Sequence, residues 1–204
     1  MMRELLIATH NPGKIREYQT LLDDLPLAIT SLRALGILHD VEETGQSFVE
    51  NAVLKAQTYA RLSGLWTWAD DSGLAVDALN GQPGIYSARY AGEGATDRDR
   101  YQKLLAELRP IAQRPWKAYF HCAVAIATPA GDCWTVEASI AGEIIEHPRG
   151  EHGFGYDPVF WMAELGVTMA ELTPDVKNRI SHRGQAAAQA KAWLRTQLSE
   201  RLSS

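Results

Sequence analysis

A lysine lies in the first turn of a predicted helix, where cations are unusual. Lys14 follows the loop residues Thr9, His10, Asn11, Pro12 and Gly13 and falls in the first turn of a predicted helix. The helix dipole disfavours a cation there, whereas a phosphate between the two would be stabilised by both. The pattern therefore indicates a phosphate-binding loop. A solvated lysine on an ordinary strand-to-helix turn is the structural alternative.

Further basic residues also stand at positions where a cation is unusual. Lys55 shares a helix face with apolar residues from Phe48 to Leu62, so it either reaches an anion or snorkels at the edge of the core. Lys177 precedes the last predicted helix, which opens with His182 and Arg183. These basic side chains predict a second site, at which they bind an anion or donate hydrogen bonds to a ligand. The alternative is that His182 and Arg183 are ordinary exposed residues that follow a serine capping the helix.

Carboxylates supply the opposite charge. Asp70 and Asp71 follow the apolar segment 65–69, which we predict to be a short strand ending at Asp70. Oxygen ligands of this kind suit Mg²⁺. Glu42 or Glu43 could add a ligand, or both could be solvated. An acidic turn with purely structural hydrogen bonds is the competing interpretation.

An aromatic, glycine-rich loop offers a surface for a planar base. It contains Phe154, Gly155, Tyr156 and Asp157. Its aromatic faces could stack on a nucleobase, or they could simply pack in a tight turn. No GxSxG, HExxH, CxxC or GxGxxG occurs, which leaves nucleophilic hydrolases, zinc proteases and dinucleotide oxidoreductases without support.

Alternating helix and strand patterns position these residues. Asn11 and Pro12 predict the start of the first helix, Ser47 and Glu50 a capping box, and Thr96 the cap of a third helix. Residues 117–127 and 133–141 read as a hairpin, and residues 182–202 as the last helix. We expect an α/β fold, with a mixed central sheet flanked by helices and two lobes that have the active-site cleft between them. We expect residues 1–204 to form one domain, with two lobes and no separable linker.

Composition excludes several classes of protein. Twenty Lys and Arg against twenty-five Asp and Glu give a net charge of −5, which argues against nucleic-acid binding. Two cysteines are too few for a secreted disulfide scaffold. No segment has the length of a signal peptide or of a membrane helix. We expect a cytoplasmic protein with neither nucleic-acid nor membrane partners.

Five segments carry a family resemblance. They are ATHNPGK (8–14), EETGQSFVENAVLKA (42–56), ADDSGLAVDALNGQPGIYSARY (69–90), GFGYDPVF (153–160) and ELTPDVKNRISHRGQA (171–186). At these residues the chain resembles the inosine triphosphate pyrophosphatase family, and the segments span nearly the whole chain in order.

The resemblance implies Mg²⁺-dependent hydrolysis of the deaminated purine nucleotides ITP, dITP and XTP to monophosphate and pyrophosphate. It also implies a homodimer. Asp71 is then the base that activates water, and Glu42 and Asp71 are the metal ligands, with Asp70 or Glu43 left open. The implied substrate contacts are Thr9, His10, Asn11, Pro12, Gly13, Lys14, Lys55, Ser72, Phe154, Gly155, Tyr156, Asp157, Lys177, His182 and Arg183.

Two rival functions remain open. One is a pyrophosphatase that acts on other modified nucleotides, since a few pocket residues decide the substrate. The other is a non-catalytic nucleotide sensor, against which the carboxylate pair and Lys14 argue, because a binder needs no water-activating group.

Overall fold

The computed structural model describes residues 4–200. These residues divide into two compact units. Unit 1 comprises residues 4–71, 122–138 and 183–200, and unit 2 comprises residues 72–121 and 139–182. Each predicted site residue therefore belongs to one defined unit.

Strands and helices alternate through most of the chain. The strands are β1 (Glu4–Ile7), β2 (Ala28–Ser31), β3 (Trp66–Val76), β4 (Trp116–Ala127), β5 (Cys133–Ile144), β6 (Phe160–Met162) and β7 (Val167–Thr168). The α-helices are α1 (Pro12–Leu21), α2 (Phe48–Ser63), α3 (Asp97–Leu108), α4 (Pro174–Ile180) and α5 (His182–Glu200). The predicted end of the last helix at residue 202 lies outside the described residues.

The strands form one seven-stranded sheet in the order β2-β1-β3-β4-β5-β6-β7. Strand β1 is parallel to both β2 and β3, whereas β6 is antiparallel to β5 and β7. Short parallel strands need helical crossovers and antiparallel neighbours do not, which accounts for the arrangement of helices along the sequence. The predicted α/β fold with a mixed sheet is confirmed.

Unit 1 has a hydrophobic core on each face of its strands, because successive side chains of a strand point to opposite sides. Leu5 and Ile7 of β1 pack with Tyr18 of α1 and with α5. Leu6 and Ala8 pack with α2 on the other face. Helices α1 and α5 therefore cover one side of the unit 1 strands, and α2 covers the other.

Two of the predicted helix starts depend on side-chain caps. The Asn11 side chain accepts hydrogen bonds from the backbone amides of Gly13 and Lys14, and Pro12 occupies the first turn of α1. Ser47 caps α2 through the amide of Glu50. The Glu50 carboxylate accepts from the amide of Gln46 at 2.7 Å. The cap of α2 thus also holds the loop that precedes the helix.

The prediction that a strand ends at Asp70 is wrong. Strand β3 continues through Asp70, Asp71, Ser72 and Gly73 to Val76. Carboxylates in a buried strand are tolerated only when they are paired. The cations that pair with the two aspartates come from helices elsewhere in the sequence, so the local pattern read as a turn.

Unit 2 has one hydrophobic core. Leu104, Leu105 and Leu108 of α3 pack there against Trp116 and Phe160. Thr96 caps α3 with a complete capping box to Asp99, as predicted. Within residues 4–200, no helix is both long enough and apolar enough to cross a membrane.

Leu104→Ala should lower the free energy of unfolding by about 2–5 kcal/mol, because Leu104 is fully buried in the unit 2 core. Leu62→Ala is the matched control, since Leu62 is also helical but is 54% exposed. Urea unfolding of the two variants measures the difference. Equal losses would contradict the placement of Leu104 in the core.

Candidate functional site

The end of β1 brings its following loop beside the carboxylates of β3. Ile7 pairs with Trp68, and the amide of Ala8 donates to the carbonyl of Trp68 at 2.8 Å. Strand β3 then continues past β1, so Asp70 and Asp71 lie beyond the carboxyl end of the parallel pair. In sheets of this kind, that edge is the usual place for ligands.

Asp70 lies on the face covered by α1 and α5. Its carboxylate is 2.9 Å from Lys14 Nζ and 3.6 Å from Nε of Arg183. Arg183 also pairs with Glu17 at 2.7 Å. Burial alone would raise the pKa of Asp70, but Lys14 and Arg183 outweigh it and hold the pKa at about 2. Lys14 in the first turn of α1 is therefore stabilised by Asp70.

Asp71 lies on the opposite face, beneath α2. Its Oδ1 is 3.0 Å from Lys55 Nζ, and its Oδ2 accepts from Asn51 Nδ2 at 3.3 Å. Lys55 also donates to Glu43 at 2.8 Å. Burial raises the pKa of Asp71, and the ammonium of Lys55 opposes that rise. Lys55 stands on an apolar helix face because two carboxylates lie there.

The two glutamates weighed as metal ligands differ in position. Glu43 is half-buried and shares Lys55 with Asp71, whereas Glu42 is exposed. Glu43 is therefore the glutamate that the structure brings toward Asp71. Glu42 as a ligand stays a prediction, and so does Asp70, which has two cation partners of its own.

The described part of unit 1 gathers three cations and four carboxylates in these pairs. They are Lys14, Lys55 and Arg183 with Glu17, Glu43, Asp70 and Asp71. Within residues 4–200, no group of three or more His, Cys, Asp or Glu side chains is placed to hold a metal ion. Two carboxylates that already converge on one ammonium still fit Mg²⁺, which commonly takes one or two protein carboxylates together with substrate phosphates and water.

The loop before α1 is already hydrogen-bonded internally. The Asn11 side chain occupies the amides of Gly13 and Lys14, and Thr9 Oγ1 accepts from the amide of Asn11 at 3.2 Å. His10 lies 3.6 Å from the exposed Asp40. A phosphate here would therefore meet side chains such as Lys14 rather than several open backbone amides.

Unit 2 contains a second buried ion pair, between Lys177 and Asp157. Asp157 also accepts from the amide of Phe154 at 2.8 Å, and Lys177 Nζ lies 4.8 Å from the centre of the Phe154 ring. Gly153 has a φ of +77°, and a Cβ there would come 2.0 Å from the Asp157 carboxylate. The ion pair thus fixes the loop that presents Phe154.

The two aromatic residues of this loop differ in whether a nucleobase could stack on them. Phe154 is half-buried, but Tyr156 is 4% exposed and its hydroxyl donates to the carbonyl of Ser87 at 2.9 Å. The amide of Gly155 donates to Asp97 at 2.8 Å. Phe154 can therefore offer a ring face to a base, whereas Tyr156 is part of the unit 2 core.

The remaining predicted contacts of unit 2 lie at the start of α5 and in β3. His182 is 4% exposed, and its ring stacks on Phe120 with a centroid separation of 4.7 Å. Ser72 is half-buried within β3. His182 is therefore held in a fixed orientation by an aromatic neighbour.

Sequence reasoning missed Asn51 and Glu17. Asn51 is fully buried and binds Asp71, and it lies four residues before Lys55 on the same helix face. That spacing was the available signal, because residues four apart on a helix are neighbours. Glu17 shows no such signal, since its partner Arg183 is far away in the sequence.

Comparison with known proteins places these residues in a family context. A sequence model of the Ham1 family matches residues 5–193. A dITP/XTP pyrophosphatase of Bacillus subtilis is 47% identical over 91% of this chain and 94% of its own, and one of Geobacter sulfurreducens is 47% identical over 95% and 97%. A HAM1 protein structure from Coxiella burnetii aligns with a TM-score of 0.87 at 43% identity, covering 96% of this chain and all of that one. The Staphylococcus aureus Ham1 structure gives 0.84 at 40%, with 96% and 100% covered.

Asp70→Asn should lower the free energy of unfolding by about 3–5 kcal/mol, because it removes the buried carboxylate that Lys14 and Arg183 share. Asp24→Asn is the matched control. Asp24 also pairs with two cations, Lys191 and Arg195, but it lies at the surface, where such pairs contribute less than about 1 kcal/mol. Urea unfolding at pH 7 measures both. A loss for Asp70→Asn no larger than that of the control would show that the buried pairs contribute little.

Proposed function

The chain belongs to the Ham1 family, and we propose that it hydrolyses deaminated purine nucleoside triphosphates. The relatives named dITP/XTP pyrophosphatase identify it as a nucleoside triphosphate pyrophosphatase. The proposed substrates are dITP, XTP and ITP, and the products are the monophosphate and pyrophosphate. Removal of such nucleotides would keep deaminated bases out of the nucleotide pool.

The main support for this proposal is the environment of the Asp71 side chain. Asp71 is buried, its carboxylate is oriented by Lys55 and Asn51, and burial raises its pKa. A buried carboxylate with a raised pKa is a better proton acceptor than one in water. We assign Asp71 as the base that takes a proton from the attacking water while the anhydride bond between the α- and β-phosphates breaks.

The triphosphate is assigned to the loop of residues 9–14 and to Lys55. Both lysines are already paired with carboxylates, which hold them in place. Phosphoryl transfer depends mainly on positioning and on neutralisation of charge. Lys14 and Lys55 supply fixed positive charge for that purpose.

Charge balance supports a requirement for Mg²⁺. Carboxylates outnumber cations in the described part of the unit 1 cluster, so a bare triphosphate would add negative charge to an existing excess. A bound Mg²⁺ supplies positive charge that neutralises phosphate oxygens. Asp71 with Glu42 or Glu43 would hold it, and Glu43 has the better position.

Base recognition is assigned to residues of unit 2. Phe154 would stack on the purine, in a loop fixed by Asp157 and Lys177. Hypoxanthine and xanthine carry a 6-oxo acceptor where adenine carries an amino donor, so a fixed donor rejects adenine. We assign that donor to His182, because the guanidinium of Arg183 lies between Glu17 and Asp70.

The homodimer and the cytoplasmic location remain proposals. The homodimer follows from the family resemblance, and sedimentation equilibrium of the purified chain tests it. The location follows from composition and the cysteine count, and cell fractionation tests it.

We expect fast pyrophosphate release from dITP and XTP and slow release from dATP, dGTP and TTP. Adenine differs from hypoxanthine and xanthine by its amino group at position 6, guanine differs by its amino group at position 2, and thymine is a pyrimidine. Release should require Mg²⁺ and stop with a chelator. A coupled pyrophosphate assay measures all five substrates under both conditions.

The outcomes of this assay separate the rival functions. Equal rates on all five nucleotides would keep the chemistry and overturn the base selectivity. Binding without release from any of them would favour the nucleotide sensor.

Asp71→Asn should reduce kcat for dITP by at least about 100-fold, because the amide cannot accept the proton. The variant should still bind a dITP analogue that has a methylene bridge between the α- and β-phosphates, and calorimetry measures this binding. Asp77→Asn is the control, since Asp77 is exposed just after β3. Near-normal turnover of Asp71→Asn would remove Asp71 from the mechanism.

A further inference from the structure

We propose that Asn51 is a positioning residue for Asp71 and that its side-chain amide links this carboxylate to the loop of residues 42–46. The proposal rests on the pyrophosphatase function assigned above. Asn51 acts on the reaction through Asp71 and not by touching the substrate.

The amide of Asn51 makes two hydrogen bonds in opposite directions. Its Oδ1 accepts from the backbone amide of Gly45 at 2.9 Å, and its Nδ2 donates to Asp71 Oδ2 at 3.3 Å. The residue is fully buried on α2. An asparagine at such a position must satisfy both ends of its amide, and these two partners do so.

The backbone of Gly45 decides which way the amide points. A peptide N–H can only donate, so the atom of Asn51 that faces it must be the oxygen. The amino group then faces Asp71. The direction of the hydrogen bond to Asp71 is thus fixed by the main chain rather than by a side chain that could rotate.

The loop approaches Asn51 too closely for any residue other than glycine. A Cβ on Gly45 would lie 2.7 Å from Asn51 Oδ1 and 2.7 Å from Glu50 Cβ. The amide of Gln46 is bound by Glu50 and that of Glu50 by Ser47. The loop that carries Glu43 is therefore anchored to the first turn of α2, next to Asn51.

These contacts restrain the carboxylate of Asp71 from two sides. Lys55 binds Oδ1 and Asn51 binds Oδ2, so rotation about the bond to the carboxyl group would break one contact or the other. An ionised carboxylate has about four acceptor sites, and these two contacts leave the others for water or a cation. Asn51 keeps those remaining sites pointed in one direction.

Two variants separate the two hydrogen bonds. Asn51→Ala removes both. Asn51→Asp keeps the shape and the acceptor for Gly45 but places a second carboxylate against Asp71. Thr67→Val is the matched control, because Thr67 is also fully buried in unit 1 and its hydroxyl binds only the nearby carbonyl of Leu65 among the contacts described.

We expect kcat for dITP to fall about 10- to 100-fold in both Asn51 variants, which is the usual cost of losing an orienting contact. In Asn51→Ala, the dissociation constant of the methylene-bridged dITP analogue should stay at the wild-type value, since Lys14 and Phe154 are untouched. In the protein without ligand, hydrogen exchange at the Gly45 amide should accelerate in Asn51→Ala and stay slow in Asn51→Asp. Thr67→Val should match the wild type in all three measurements.

Three results would overturn the proposal. They are an unchanged kcat in both Asn51 variants, an equal loss of kcat in Thr67→Val, and unchanged exchange of Gly45 in Asn51→Ala. Failure of the wild-type protein to hydrolyse any nucleotide would instead reject the function. A normal wild-type rate with unaffected variants would reject only the role of Asn51.

Discussion

Two adjacent carboxylates in a buried strand are the constraint on which unit 1 depends. Because neighbours in a strand point to opposite faces, Asp70 and Asp71 need separate partners on the two sides of the sheet. Helices α1 and α5 supply Lys14 and Arg183 on one side, and α2 supplies Lys55 on the other. Three helices are thereby tied electrostatically to β3. The ion pairs that neutralise the strand contain the same lysines and aspartate to which the proposed chemistry is assigned.

The cations in this arrangement have a structural role and a proposed role in ligand binding, and the sequence does not separate the two. Lys14 at a helix start predicts an anion, and the structure supplies one in Asp70. A phosphate remains compatible with the same lysine, because an ammonium can donate to more than one acceptor. The Asp70 carboxylate holds the Lys14 ammonium in place, so that this side chain does not extend into solvent when no ligand is bound. In the proposed function, structural pairing and phosphate binding would therefore be successive uses of the same charge.

Local signals predicted much of the fold, and distant pairing accounts for the failures. The caps at Asn11, Ser47 and Thr96 act within a few residues, so the sequence alone placed the starts of α1, α2 and α3. The continuation of β3 through Asp70 could not be predicted in this way, because it depends on cations from other segments. Asn51 is four residues from Lys55 on the same helix face, but its partner Asp71 lies twenty residues away, so its contact with that carboxylate could not be predicted from local sequence.

The face of α2 beneath Asn51 and Lys55 is built from alanine. Ala52, Ala56 and Ala60 pack against Ala123 and Ala125 of β4, and all five are buried. Methyl groups on both sides set the distance between helix and sheet, and they have no rotamers through which a larger neighbour could be accommodated. This surface acts as a spacer of fixed thickness. Directed evolution of unit 1 should therefore find few acceptable substitutions there, although none of these alanines has any chemistry of its own.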